Sequence, residues 1–162
     1  MSFSSIARFF REQVAGPSPE EQEREHHHRM RLATASVLLE IAYADDSFSI
    51  SEKTGIVEYL RSRFDLDQDD ARQLVESAEE LRSETIDHFA MTNYIRQNST
   101  IPERIEIVKE MWRLVYKDGN LHQYENYLVR KLAGLIGLEH HVMIEAKLAV
   151  QAELDAAQQP GS

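Results

Sequence analysis

The sequence predicts an all-α protein of seven to eight helices containing an internal duplication, and three observations carry that expectation. Apolar residues recur at three- and four-residue spacing through most of the 162-residue chain, and no stretch shows the alternation between turn signals that marks a strand. Glycine and proline number only 6 and 4, about half of their usual joint share. A short acidic segment near residue 45 also returns near residue 118.

The elements follow in order. Phe3, Ile6, Phe10 and Val14 fall on one helical face with Phe9 beside them, and Arg8, Arg11 and Glu12 lie off it. Gly16, Pro17 and Pro19 then break the pattern, so residues 1–17 read as an amphipathic helix and hinge ahead of a helical domain over 18–154. Ser18 caps the next helix, with Pro19 at its first position and Glu20 and Glu21 at the positive end of its dipole. That helix is polar from Glu20 to Arg31 and apolar from Leu32 to Ala44, so it is expected to be solvated first and buried later. His26, His27 and His28 point about 100° apart on a helix and cannot close on one metal; they read as a solvated face.

Ile56, Leu60 and Phe64 mark the next helix; Ala71, Leu74, Val75, Ala78 and Leu81 mark another after an Asp67 cap. Ile86, Phe89, Ala90 and Tyr94 define a third stripe, and Pro102 opens a helix burying Ile105, Val108, Met111, Trp112 and Val115. Leu128, Leu132, Leu135 and Ile136 give another, and Val142, Ala146, Ala149 and Val150 give the last, before a polar tail over 155–162.

The repeat aligns Ala42–Glu52 with Val115–Glu125 at an offset of 73 residues, with Tyr43/Tyr116, Asp45/Asp118 and Glu52/Glu125 identical and Phe48/Leu121 both large and apolar. Leu60/Leu132 and Leu66/Leu138 follow with a one-residue slip. Each copy, about 32–82 and about 102–152, is a helix, an acidic loop, a helix and a further helix. Two such copies can pack about a pseudo-twofold axis, each covering the apolar face the other leaves open.

The doubled loop pattern of Asp, Gly or Asp, any residue, a large apolar residue, three of any kind and Glu resembles the tellurite-resistance TerB family. So do the flanking Leu38–Asp45, Arg63–Leu66 and Glu125–Leu132 stretches, and the resemblance spans roughly residues 30–152. It implies a duplicated all-α domain, cytoplasmic, linked to resistance to tellurite and other chemical stress, with an acidic surface suited to divalent cations. No catalytic residues carry over. Where many members place further acids, this chain has Ser47, Ser49, Asn120 and His122.

The positions matching the family's loops are Asp45, Asp46, Glu52, Asp118, Asn120 and Glu125. Carboxylate, amide and carbonyl oxygens suit Ca2+ or Mg2+, which take six or more oxygen ligands, and each loop is too short for an EF-hand. A second reading needs no metal: Ser49 to Glu52 has the form of a capping box, a contribution of about 1 kcal/mol, and Gly119 suits a turn between helices. His122 replaces Ser49 in the second copy, so capping accounts less well for Glu125.

Composition narrows the function further. The absence of cysteine excludes disulfides, thiolate nucleophiles and Cys-ligated metal centres. A net charge of −10 without a basic cluster argues against nucleic acid and for cations or a protein partner. No stretch is apolar enough to span a bilayer, no nucleophile elbow, phosphate loop or His-Glu-x-x-His run occurs, and no organic cofactor is indicated. The expectation is a non-catalytic cytoplasmic protein. Phe3, Ile6, Phe9 and Phe10 are expected to cover a partner or the protein's own bundle, with peripheral membrane contact disfavoured because only Arg8 and Arg11 are basic nearby.

Overall fold

The computed structural model describes residues 18–44, 50–83, 88–117 and 123–158. They form α1 (Pro19–Tyr43), α2 (Ile50–Phe64), α3 (Gln68–Ser83), α4 (His88–Asn98), α5 (Ile101–Tyr116), α6 (Gln123–Leu135) and α7 (His140–Gln158), with no strand among the described residues. The N-terminal helix expected over 1–17 lies outside the described residues.

α1 begins where Ser18 satisfies orphan backbone groups. Its hydroxyl accepts the Glu21 N–H at 3.1 Å while the Glu21 carboxylate accepts the Ser18 N–H at 3.3 Å, and Pro19 occupies the first turn. Residues up to Arg29 remain exposed apart from half-buried His26, whose ring nitrogen lies 2.9 Å from the Tyr94 hydroxyl. One histidine of the triplet therefore packs against α4, and only His27 and His28 keep the solvated character expected of all three. From Ala33 to Leu39 every residue is buried, whichever way it points. α2, α3, α4, α5 and α6 all pack on α1, and Ala33, Ala35 and Ala42 let them come close.

α5 is the second hub. Thr100 and Glu103 repeat the capping box, with Glu103 N–H to Thr100 Oγ1 at 3.3 Å and Thr100 N–H to Glu103 Oε1 at 3.0 Å. The helix buries Ile107, Val108, Met111, Trp112 and Val115, and Trp112 lies against Tyr116 with Lys147 Nζ 5.1 Å from its ring centre. α5 packs on α6 and α7 as α1 packs on α2 and α3, and each hub also touches the other's following helix, α1 with α6 and α5 with α2.

The turns after α2 and α6 close alike. Leu66 N–H reaches Arg61 O at 3.0 Å across Asp65 (φ 53°), and Leu138 N–H reaches Ala133 O at 3.0 Å across Gly137 (φ 92°). Both are Schellman closures, which need a left-handed residue just past the helix. Arg104 braces the second turn by donating to Gly137 O at 3.3 Å, to Ser99 Oγ at 3.0 Å, and to the carbonyls of Arg96 and Ser99.

Three details differ from the sequence pattern. On α4, Ala90 is exposed while Thr92 and Ile95 are buried, because this short helix is covered by α1 and α6 on the face those neighbours select. On α5 the buried face widens to include Ile107 and Glu110. Helix α7 runs to Gln158, past the tail boundary expected near Asp155, since Ala156 and Ala157 favour helix. No described helix is long and apolar enough to cross a membrane.

Two outcomes follow. Gly137→Ala should lower unfolding free energy in urea by about 1 kcal/mol or more, because a Cβ there meets Arg104 Nη1 at 3.0 Å in a left-handed backbone. Asp65→Gly should change it by less than about 0.5 kcal/mol, relief of φ being offset by chain entropy.

Glu103's carboxyl is held below the ordinary glutamate range chiefly by the Thr100 backbone N–H, and also by Arg63, whose Nη2 lies 2.7 Å from it. A lowered carboxyl stabilises the fold above its unfolded pKa and loses that contribution as pH falls through the folded value. Glu103→Gln should therefore cost roughly 0.5 kcal/mol near neutral pH, since the group is partly exposed. The difference from the parent should vanish on acidification, as read in denaturation curves across pH.

Candidate functional site

The two acidic loops leave the hubs through the same kind of cap. Ala44 closes α1 with φ −65°, ψ −26° and its N–H on Ile41 O; Lys117 closes α5 with φ −64°, ψ −34° and its N–H on Leu114 O. Asp45, Asp46, Asp118 and Asn120 lie beyond these caps, outside the described residues, as do Phe3, Ile6, Phe9 and Phe10. Of the proposed loop acids, Glu52 and Glu125 are described.

Each occupies the first turn of the helix that follows its loop, Glu52 on α2 and Glu125 on α6, where the helix dipole favours a carboxylate. Glu52 is half-buried. Glu125 is only 5% exposed, although its neighbours Tyr124 and Tyr127 are each 60% exposed. Two helix-start carboxylates of the same register thus sit in different environments, the second deeper than a capping role requires.

The ends of the two loops meet in space. Lys117 Nζ, adjoining the second loop, donates to Ser51 O at 2.6 Å in the first turn of α2, beyond the first loop. Gly55 makes room for it, because a Cβ at that position would stand 2.6 Å from the ammonium. On the other side, Ala44, which precedes the first loop, and Tyr124, which follows the second, line one cleft of about 300 Å³ with Glu40, Arg82 and Lys131. At the repeat offset of 73, Ala44 corresponds to Lys117 and Ser51 to Tyr124. The two juxtapositions are therefore the same pair of positions with the copies exchanged.

The surroundings carry alternating charge. Glu110, 8% exposed on α5, has its carboxyl pushed up by burial and drawn back down by Arg113 and Lys117. Arg113 Nη1 lies 3.2 Å from Glu110, and Nη2 lies 3.0 Å from Glu153 on α7. The buried Tyr59 phenol on α2 is held well above its ordinary range, first by burial and then by Glu110. Among the described residues no group of three or more His, Asp or Glu side chains converges as a metal-ligand set.

Sequence reasoning located the acids and overlooked Lys117 and Gly55. Lys117 was visible only as the residue opposite Ala44 in the repeat, and a lone glycine inside a helical pattern was the available sign of a close approach. The Glu40–Arg82 pair, 3.2 Å apart across α1 and α3, left no local signature.

Residues 31–148 match the family model described as tellurite resistance protein TerB. No curated protein and no solved structure gave a match. The matched span runs from the buried half of α1 into α7, takes in both acidic loops, and covers well over half the chain; the protein belongs to the TerB family.

Proposed function

We propose that this chain is a non-catalytic, cytoplasmic stress-response protein of the tellurite-resistance type, in which the two acidic loops form one site for a divalent cation. The approach of Lys117 to Ser51, and the shared cleft of Ala44 and Tyr124, carry the reading, since each sets an end of one loop near an end of the other. The recurrence of the α1–α2–α3 packing in α5–α6–α7, with matching caps and Schellman turns, supports a duplication as its origin. Asp45, Asp46, Glu52, Asp118, Asn120 and Glu125 then supply the hard oxygen ligands that Ca2+ or Mg2+ prefers. No step of covalent chemistry is assigned to the site.

Lys117 has a definite part in this scheme. Without a cation its ammonium offsets the repulsion that gathered carboxylates would otherwise feel, and a bound cation competes with it for the same field. A protein partner would dock beside the loaded loops, with the stripe of Phe3, Ile6, Phe9 and Phe10 as a second contact. The competing reading is an adaptor without metal. It draws on the first-turn positions of Glu52 and Glu125, which suit helix starts.

Thermal unfolding separates the two. Calcium or magnesium at tenfold its dissociation constant should raise the midpoint by about 4 °C. Asp118→Asn with Glu125→Gln should abolish most of that rise, and Lys117→Met should lower the cation concentration at which it appears. Identical midpoints with and without millimolar calcium, magnesium or manganese in all three proteins would establish the adaptor reading instead.

A further inference from the structure

The cleft beside Ala44 and Tyr124 does not stop at the loops. It continues inward through Glu40, Arg82 and Leu132 to a narrow end lined by Ser36, Met91 and Thr92, between α1, α3, α4 and α6. Its outer part, about 300 Å³, has room for a metabolite-sized molecule, and the inner end has room for little more than one polar atom.

Ser36 stands out at that inner end. It is 6% exposed, its Oγ is fully enclosed, and it has no hydrogen-bond partner among the described residues. A buried helical hydroxyl ordinarily returns to the carbonyl one turn back, as Thr34 does to Met30 O at 2.8 Å two residues earlier on the same helix. Ser36 does not, and it lines the cleft. An enclosed donor without a protein partner is rare in a settled interior, and the cavity beside Ser36 is where a partner would sit.

Arg82 supplies the second observation. Its Nε pairs with Glu40 Oε1 at 3.2 Å and its guanidinium lies 4.2 Å from the centre of the Tyr43 ring, two contacts that fix the orientation of the group. Its planar fork is the group that grips a carboxylate through two parallel hydrogen bonds. Among the described charges that line the cleft, Glu40 offsets one positive charge and Lys131 at the rim adds another, which leaves one positive charge in excess. Leu128, Leu132 and Leu135 on α6 provide an apolar wall.

The geometry points to a binding site for a small monocarboxylic acid with a compact apolar body, its carboxylate on Arg82 and Ser36 and its body against the leucines of α6. The site is separate from the cation site in both residues and ligand chemistry. A carboxylate satisfies the Ser36 hydroxyl and the Arg82 fork together, while a neutral apolar molecule satisfies neither and a cation is repelled by Arg82 and Lys131.

Octanoate, 1-octanol and octylammonium serve as probes, titrated into the full chain with chelator present so that no cation contributes, and followed by amide chemical shifts. Octanoate should give saturable shifts confined to the ends of α1 and α3, to α4 and to α6, with half-saturation at or below about 1 mM. Octanol should bind about tenfold more weakly, and octylammonium should give no saturable shift. Ser36→Ala should weaken octanoate about threefold or more and Arg82→Gln about tenfold, while neither should change octanol binding.

Lys131→Glu, an exposed change that leaves the packing alone, should also weaken octanoate, and it decides the matter with Ser36→Ala if Arg82→Gln fails to fold. Equal affinities for octanoate and octanol would reduce the cleft to an apolar crevice and overturn the assignment. So would shifts elsewhere, or none at about 10 mM octanoate. Because chelator is present throughout, these outcomes are independent of whether the acidic loops bind metal.

Discussion

The constraint on which the molecule turns is the enclosure of the second half of α1. A helix satisfies its own backbone hydrogen bonds, so it can be surrounded on every side provided its side chains are apolar and of the right size. From Ala33 to Ala42 α1 comes close to both conditions, with Thr34, Ser36 and Glu40 as its polar exceptions: Leu38, Leu39 and Ile41 supply bulk, each contributing about 1.5–3 kcal/mol on burial, and the alanines set how near the neighbours come. Five helices converge on this one segment. Its end at Ala44 consequently fixes where the first loop departs, and its Ser36, Glu40 and Tyr43 become the wall of the cleft.

What the sequence made legible was what local chemistry decides. Ser18 with Pro19, and Pro102 with Glu103, announce helix starts because the residues that cap a helix lie within four positions of one another. Leu66 and Leu138 marked equivalent turns because a Schellman closure needs an apolar residue just past a left-handed one. By contrast, the burial of Thr92 in place of Ala90, and of Ile107 and Glu110, depends on which neighbours cover α4 and α5. No periodicity in one helix records that choice.

The candidate site divides along the same line. Its acids could be read because they recur at a fixed offset in the sequence, within the span that matches the family. The ammonium that meets α2 could not, since Lys117 and Gly55 lie far apart in the chain and acquire meaning only when α5 lies across the start of α2. Arg82 and Glu40 are similar: each is an ordinary surface-type residue on an amphipathic helix until α1 and α3 pack and leave them facing a cavity. Glu125 differs from Glu52 in sequence as well as depth, since His122 stands where the expected capping serine, Ser49, stands at the offset of 73.

The setting of Trp112 has an optical consequence. It is the chain's single tryptophan, fully enclosed, with its indole N–H without a hydrogen-bond partner among the described residues. All indole emission from this protein therefore originates on α5, beside Tyr116 and beneath Lys147 of α7. Its wavelength follows the packing around α5, which α1, α6 and α7 all touch. Far-ultraviolet ellipticity weighs every helix alike, so a gap between the two signals during unfolding would mean that the halves of the molecule separate before either melts.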